Sequence, residues 1–128
     1  MHRFILLHLC LLFSIFLISG CSGLKTDYGK PAAQFVEEDV ETKGKEFLAK
    51  KITVKGTVTK VDVSDPKSAQ VYLQYGIQCN LGKLSRMAES CKIGETVYVD
   101  GLLKVLEEGN VILDPAILRD PNASFQPK

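Results

Sequence analysis

From Lys51 onward the chain alternates in a way that only extended backbone can use. Ile52, Val54, Gly56 and Val58 fall on one face, and Val61 and Val63 then continue the apolar set one residue out of phase. A one-residue slip turns every later side chain to the opposite face of a sheet, so the pattern predicts a β-bulge near Thr59-Lys60, with Gly56 easing a strong bend. A long, coiled first strand of this kind closes small barrels, and it limits what the rest of the chain can build.

The remaining segments read as the other staves of such a barrel. Ser64-Asp65-Pro66-Lys67 is a turn, Ala69 to Tyr75 a second strand with Val71, Leu73 and Tyr75 inward, and Ile77 to Leu81 a third. Lys83 to Ser90 is helix-like, with Leu84, Met87 and Ala88 spaced to plug one end. Lys92 to Glu95 turns into a fourth strand, Thr96 to Leu106, interrupted by Gly101. Glu107-Glu108-Gly109-Asn110 is a hairpin turn, and Val111 to Leu118, broken near Pro115, is the last strand. Ala32 to Val40 reads as a short amphipathic helix ahead of the barrel, with Phe35 and Phe47 covering a core edge. The order of strands and helix predicts a mainly β fold, a five-stranded OB-fold Greek-key barrel with a helix between strands 3 and 4 and a short helix before it.

The first twenty-one residues follow other rules. Met1 to Arg3 form a short basic start, Phe4 to Ile18 are almost wholly apolar, and Ile18-Ser19-Gly20-Cys21 resembles the bacterial lipobox. That resemblance implies a signal peptide over residues 1–20, cleavage before Cys21, and lipidation of Cys21 with diacylglycerol and a further acyl chain such as palmitate. An uncleaved anchor is the alternative, since a spanning helix needs about 20 apolar residues. Two acyl chains would hold the protein stably on a bilayer where one would not. Ser22 in place of Asp leans toward the outer membrane facing the periplasm rather than the inner membrane. Residues 21–31 read as a lipidated tether, 32–120 as the folded domain and 121–128 as a flexible tail.

Without the leader the chain has no histidine, because His2 and His8 both lie within it, and it has no tryptophan. Triads, Cys-His pairs and most zinc sites are thereby excluded. Fifteen Lys and Arg balance fifteen Asp and Glu after Arg3 is removed, so a basic footprint for nucleic acid is absent. No catalytic residue, cofactor or metal is expected. The pairs Asp62 with Asp65 and Glu107 with Glu108 lack the spacing of a calcium loop and read as solvated turns.

Three segments carry a family resemblance: Lys51-Ile52-Thr53-Val54-Lys55-Gly56-Thr57-Val58, Ile77-Gln78-Cys79-Asn80-Leu81, and Ile93-Gly94-Glu95-Thr96-Val97-Tyr98-Val99-Asp100-Gly101. Together they resemble the tRNA-anti-like group of bacterial OB-fold proteins, over roughly Phe35 to Arg119. The resemblance implies an exported or lipid-anchored barrel and supplies no catalytic residue.

Two further expectations concern side chains. Cys79 and Cys91 would sit in an oxidising compartment, and a disulfide closing their short loop would contribute about 3 kcal/mol; two buried thiols are the alternative. The outer strand face should show Lys55, Thr57, Thr59, Tyr72 and Gln74, a surface suited to a saccharide or an extended peptide. With one clear aromatic and an acidic last loop, it is poorly suited to stacking single-stranded bases. The sequence therefore reads as a non-enzymatic, lipid-anchored module of the cell envelope that binds a protein or a cell-wall saccharide. The alternatives are an oligonucleotide-binding module or a purely structural lipoprotein.

Overall fold

The computed structural model describes residues 30–128. The signal peptide, Cys21 and nearly all of the expected tether lie outside the described residues. Pro31–Lys128 forms one compact unit, built from six strands. They are β1 (Ala33–Val36), β2 (Lys51–Asp62), β3 (Ala69–Leu73), β4 (Ile77–Gly82), β5 (Thr96–Glu107) and β6 (Asn110–Leu118). Two short helices accompany them, α1 (Val40–Lys43) after a 3-10 turn over Glu37–Asp39, and α2 (Ser85–Glu89) between β4 and β5.

β2 has more partners than one straight strand could reach. Its first half pairs antiparallel with β5, from Lys51 opposite Leu102 to Thr57 opposite Thr96. Its second half pairs with β3, from Val58 opposite Leu73 to Asp62 opposite Gln70. The register shifts between Val58 and Lys60, so Thr59 is the bulge residue that the phase slip in the sequence demanded. Gly56 sits at the bend; a Cβ there would lie 2.6 Å from Glu37 Oε2 and 2.8 Å from Leu73 Cδ1. The sheet order β1-β2-β3-β4-β6-β5 closes through the β2–β5 pairing, with β4 and β6 parallel. Strands β2 to β6 are therefore a closed five-stranded barrel with the OB order, a helix between its third and fourth strands and a short helix before it.

The interior is filled by the inward rows of every strand: Ile52, Val54 and Val58 from β2, Val71 and Leu73 from β3, Ile77, Cys79 and Leu81 from β4, Val97, Val99 and Leu103 from β5, and Val111 and Leu113 from β6. Ala88 of α2 is buried at one end and Met87 packs beside it, while Leu84, expected to plug that end, is 40% exposed.

Three segments depart from the expectation. Ala33–Val36 is a strand, not the first turn of a helix, and runs parallel to β2 with Ala33 opposite Ile52 and Val36 opposite Lys55. The cause is tertiary. Because β3 pairs only with the far half of β2, the near half has an open edge, and β1 fills it while burying Phe35 completely. Helical structure begins only at Glu37. Phe47 meets Phe35 edge-on with ring centroids 5.6 Å apart.

Tyr75 is likewise not an inward strand residue. It forms the β3–β4 turn with Gly76, both at positive φ (65° and 71°), and the residue is 56% exposed. Two residues at positive φ match the twist of a tight hairpin, and glycine supplies one of them without steric cost.

The tail forms no helix or strand, yet it does not hang free. Lys128 N–H donates to Gln34 O at 2.9 Å, and Gln126 N–H donates to Gln34 Oε1 at 2.7 Å, so the tail lies along the outer edge of β1.

If β1 is an integral stave, Phe35→Ala must cost about 3–5 kcal/mol, as for other fully buried phenylalanines. Urea unfolding followed by circular dichroism is the check; a cost under about 1 kcal/mol would mean that β1 only decorates a barrel that stands without it.

Candidate functional site

The outer face of β1, β2 and β5 is organised in rows set by the register. Gln34, Thr53 and Asp100 form one row, Val36, Lys55 and Tyr98 the next, and Thr57 and Thr96 follow. Outward positions of a barrel usually meet water, but Gln34, Thr53 and Asp100 are all buried. They remain polar because each is satisfied. Gln34 Nε2 donates to Thr53 Oγ1 at 3.2 Å, Thr53 Oγ1 donates to Asp100 Oδ1 at 2.5 Å, and Arg119 Nη1 pairs with Asp100 Oδ2 at 3.0 Å. Leaving any one of these groups unpaired would cost about 1–3 kcal/mol, so the row locks β1, β2 and β5 into one register.

One step along the same face, the wall opens into a cleft of about 230 Å³ lined by Val36, Glu37, Glu38, Lys55, Gly56, Thr57, Gln74, Tyr75 and Thr96. The absent side chain of Gly56 opens its floor, and Glu37 folds over that floor to accept a hydrogen bond from Thr57 N–H at 3.0 Å. The β3–β4 turn supplies the opposite rim, with Tyr75 at its tip. Lys55 leans its ammonium over the Tyr98 ring at 5.7 Å. The cleft thus offers two carboxylates, one ammonium, two threonine hydroxyls, one amide and one exposed phenol ring.

Three of the five side chains expected on a binding face, Lys55, Thr57 and Gln74, meet at this cleft. Thr59 and Tyr72 lie outside its lining. Thr59 Oγ1 donates to Tyr72 O at 3.3 Å, Lys60 stacks its ammonium 5.2 Å from the Tyr72 ring, and the Tyr72 hydroxyl donates to Gln70 Oε1 at 2.6 Å. Beside them Gln78 and Asn80 share a 2.8 Å hydrogen bond, so Tyr72 stands in a separate amide-rich patch. Glu37, Glu38, Tyr75 and Thr96 were not anticipated. The first two were hidden by the helix reading of Ala32–Val40, whereas the Tyr75-Gly76 pair was available as a turn signal.

The expected disulfide is not formed. Cys79 and Cys91 are both free and buried. Cys79 is part of the inward row of β4, and the Cys91 thiol donates instead to Met87 O at 3.7 Å, a carbonyl near the end of α2 that also accepts from Ser90 Oγ–H at 2.6 Å. Burial raises the pKa of the Cys79 thiol far above its ordinary value, with Cys91 adding to the effect. Burial and the nearby Glu95 carboxylate also raise that of Cys91, against a smaller opposing hydrogen bond from Ser90.

The acidic turns are occupied locally: Asp62 Oδ1 accepts from Ser64 N–H and Ser64 Oγ–H, and Asp65 Oδ1 accepts from Lys67 N–H. Among the described residues no three His, Cys, Asp or Glu side chains converge as metal ligands.

No family model and no curated protein matches this chain. Among solved structures, it is similar to a candidate nucleic acid-binding lipoprotein from Klebsiella pneumoniae at 15% identity. That match covers 59% of this chain and 74% of the other, with a TM-score of 0.45. The OB-fold assignment rests on the strand order and register described above.

Raised thiol pKa values leave almost no thiolate near neutrality, and the thiolate is the species that alkylates. Iodoacetamide at pH 8 should therefore leave Cys79 and Cys91 unmodified in the folded protein and label both once urea unfolds it, as read by peptide mass mapping. Labelling of Cys79 at the same rate with and without urea would contradict its placement in the core.

Proposed function

We propose that this is a non-enzymatic binding module, anchored to the bacterial envelope through lipidated Cys21, that holds a cell-wall saccharide in the cleft between the Glu37–Asp39 turn and the Tyr75 hairpin tip. The observation that carries this reading is the lining of the cleft. Sugar hydroxyls need neutral and anionic acceptors at close quarters, and Glu37, Glu38, Gln74, Thr57 and Thr96 supply them. A sugar ring also needs a flat apolar partner, which the exposed Tyr75 offers at the rim. The volume, about 230 Å³, lies below the usual range of about 300 Å³ and upward for small-molecule sites, so it suits one ring of a polymer rather than a whole metabolite.

The charge balance argues against an oligonucleotide in the same place. A phosphate backbone would meet two carboxylates against one ammonium, and single-strand binders rely on a positive groove with several stacking rings. A lipid anchor suits a module whose ligand is a fixed polymer near the membrane, because both then stay within reach of each other. We place it at the outer membrane facing the periplasm, on the serine that follows Cys21.

The test is an amide chemical-shift titration of the full chain in detergent micelles, against peptidoglycan fragments, neutral oligosaccharides and single-stranded DNA. A saccharide should give saturable shifts at Thr57, Gln74 and Tyr75 that are insensitive to salt, and Tyr75→Asn should lower affinity tenfold or more. Asparagine tolerates positive φ, so that variant keeps the turn and removes only the ring. DNA binding that falls steeply with salt would replace this reading with the oligonucleotide one.

A further inference from the structure

The segment Ser124–Lys128 lies on the outer face of β1 and β5 in a manner that resembles a bound peptide more than a packed terminus. Gln34 reads its backbone from both sides: Oε1 accepts from Gln126 N–H at 2.7 Å, and Nε2 donates to Ser124 O at 3.3 Å. The main-chain oxygen of Gln34 accepts from Lys128 N–H at 2.9 Å, which adds a backbone bond to the open edge of β1. Arg119 Nη2 also donates to Ser124 O, at 3.3 Å. All four bonds address main-chain atoms of the tail, and such contacts tolerate other sequences.

Only two side chains of the tail find specific seats. Phe125 meets the Tyr98 ring edge-on with centroids 5.2 Å apart, and the Lys128 ammonium lies 5.2 Å from the centre of the Phe47 ring. Ser124, Gln126 and Pro127 are exposed. The fit also has a flaw at its polar end. Arg119 Nε is buried and has no acceptor, although the same guanidinium bonds both Asp100 and Ser124 O. An occupant with a carboxylate at the Ser124 position would supply that acceptor in a charge-assisted form.

We propose that this trough is a docking surface for an extended segment of a partner protein, and that the chain's own tail is a displaceable occupant of it. The partner segment carries an acidic residue, then an aromatic one, and a lysine three residues further on, the pattern set by Arg119, Tyr98 and Phe47. It joins the β1 edge as an added strand and must outcompete a tethered tail, whose effective concentration is of the order of millimolar. The trough is a different surface from the saccharide cleft, so the proposal stands or falls separately. The two meet at Tyr98, which lies outside the cleft lining: Phe125 packs on its ring from the trough, and Lys55, a lining residue, leans its ammonium over the same ring.

The experiment uses the full chain in detergent micelles carrying Gln126→Pro, which removes the N–H that Gln34 reads, and a second form ending at Pro121. The probe is a fluorescein-labelled peptide of residues 122–128, with a Ser124→Asp version, followed by fluorescence anisotropy. Both forms should bind the peptide saturably and at least tenfold more tightly than the intact chain does. The Ser124→Asp peptide should bind several-fold more tightly than the natural one, and Phe125→Ala in the peptide or Gln34→Ala in the protein should abolish binding. Circular dichroism of each protein form establishes that the barrel is folded. Failure of both folded forms to bind, or equal binding by the intact chain, would overturn the proposal. So would a concentration-dependent dimer of the intact chain that exchanges tails, because the occupant would then be a second copy.

Discussion

The whole molecule depends on β2 being shared. One strand of twelve residues pairs with β5 and β1 over its first half and with β3 over its second, and it can do so only by bending at Gly56 and slipping register at Thr59. Closure of a barrel removes the exposed edges that an open sheet would leave. The β2–β5 ladder is the closing seam here, and the bulge that permits it also sets which side chains of β2 face outward. Lys55 and Thr57 owe their place in the cleft to that geometry, while Thr59, on the bulge itself, is turned toward Tyr72 instead.

The outer wall has an unusual division of labour. Its Gln34-Thr53-Asp100 row is polar, buried and fully paired, so it fixes the register of three strands without adding to the apolar core. The next row is open and forms the cleft. Within that second row Tyr98 is touched by Lys55 and by Phe125 of the tail. Rearranging the tail therefore changes the surroundings of a residue that lines the cleft, through one ring.

The barrel could be read from the chain because its determinants are local and periodic. The alternation from Ile52 to Val58, its slip to Val61 and the turn at Ser64–Lys67 specify strand, bulge and hairpin without knowledge of the rest. What could not be read depends on distant partners. Ala33–Val36 has enough helix-forming company to pass for a helix, and becomes a strand only because β2 has an unfilled edge. The tail looks disordered by composition, yet Gln34, ninety positions away, holds it. Cys79 and Cys91 are close enough in sequence to suggest a bond, but their orientations depend on the barrel interior and on the end of α2. The cleft was legible in part: Lys55, Thr57 and Gln74 follow from strand parity, whereas Glu37 and Glu38 enter only through the misread segment and Tyr75 only through the turn.

The bend of β2 opens a cleft between the Glu37 turn and the Tyr75 hairpin, and the proposed occupant is a saccharide. A crystal structure of the protein grown with a peptidoglycan disaccharide tests it most directly. One sugar ring should then stand against the face of Tyr75, with hydroxyls at hydrogen-bond distance from Glu38 and Gln74. Density over Tyr72 and the Gln78–Asn80 patch, with the cleft unliganded, would contradict it.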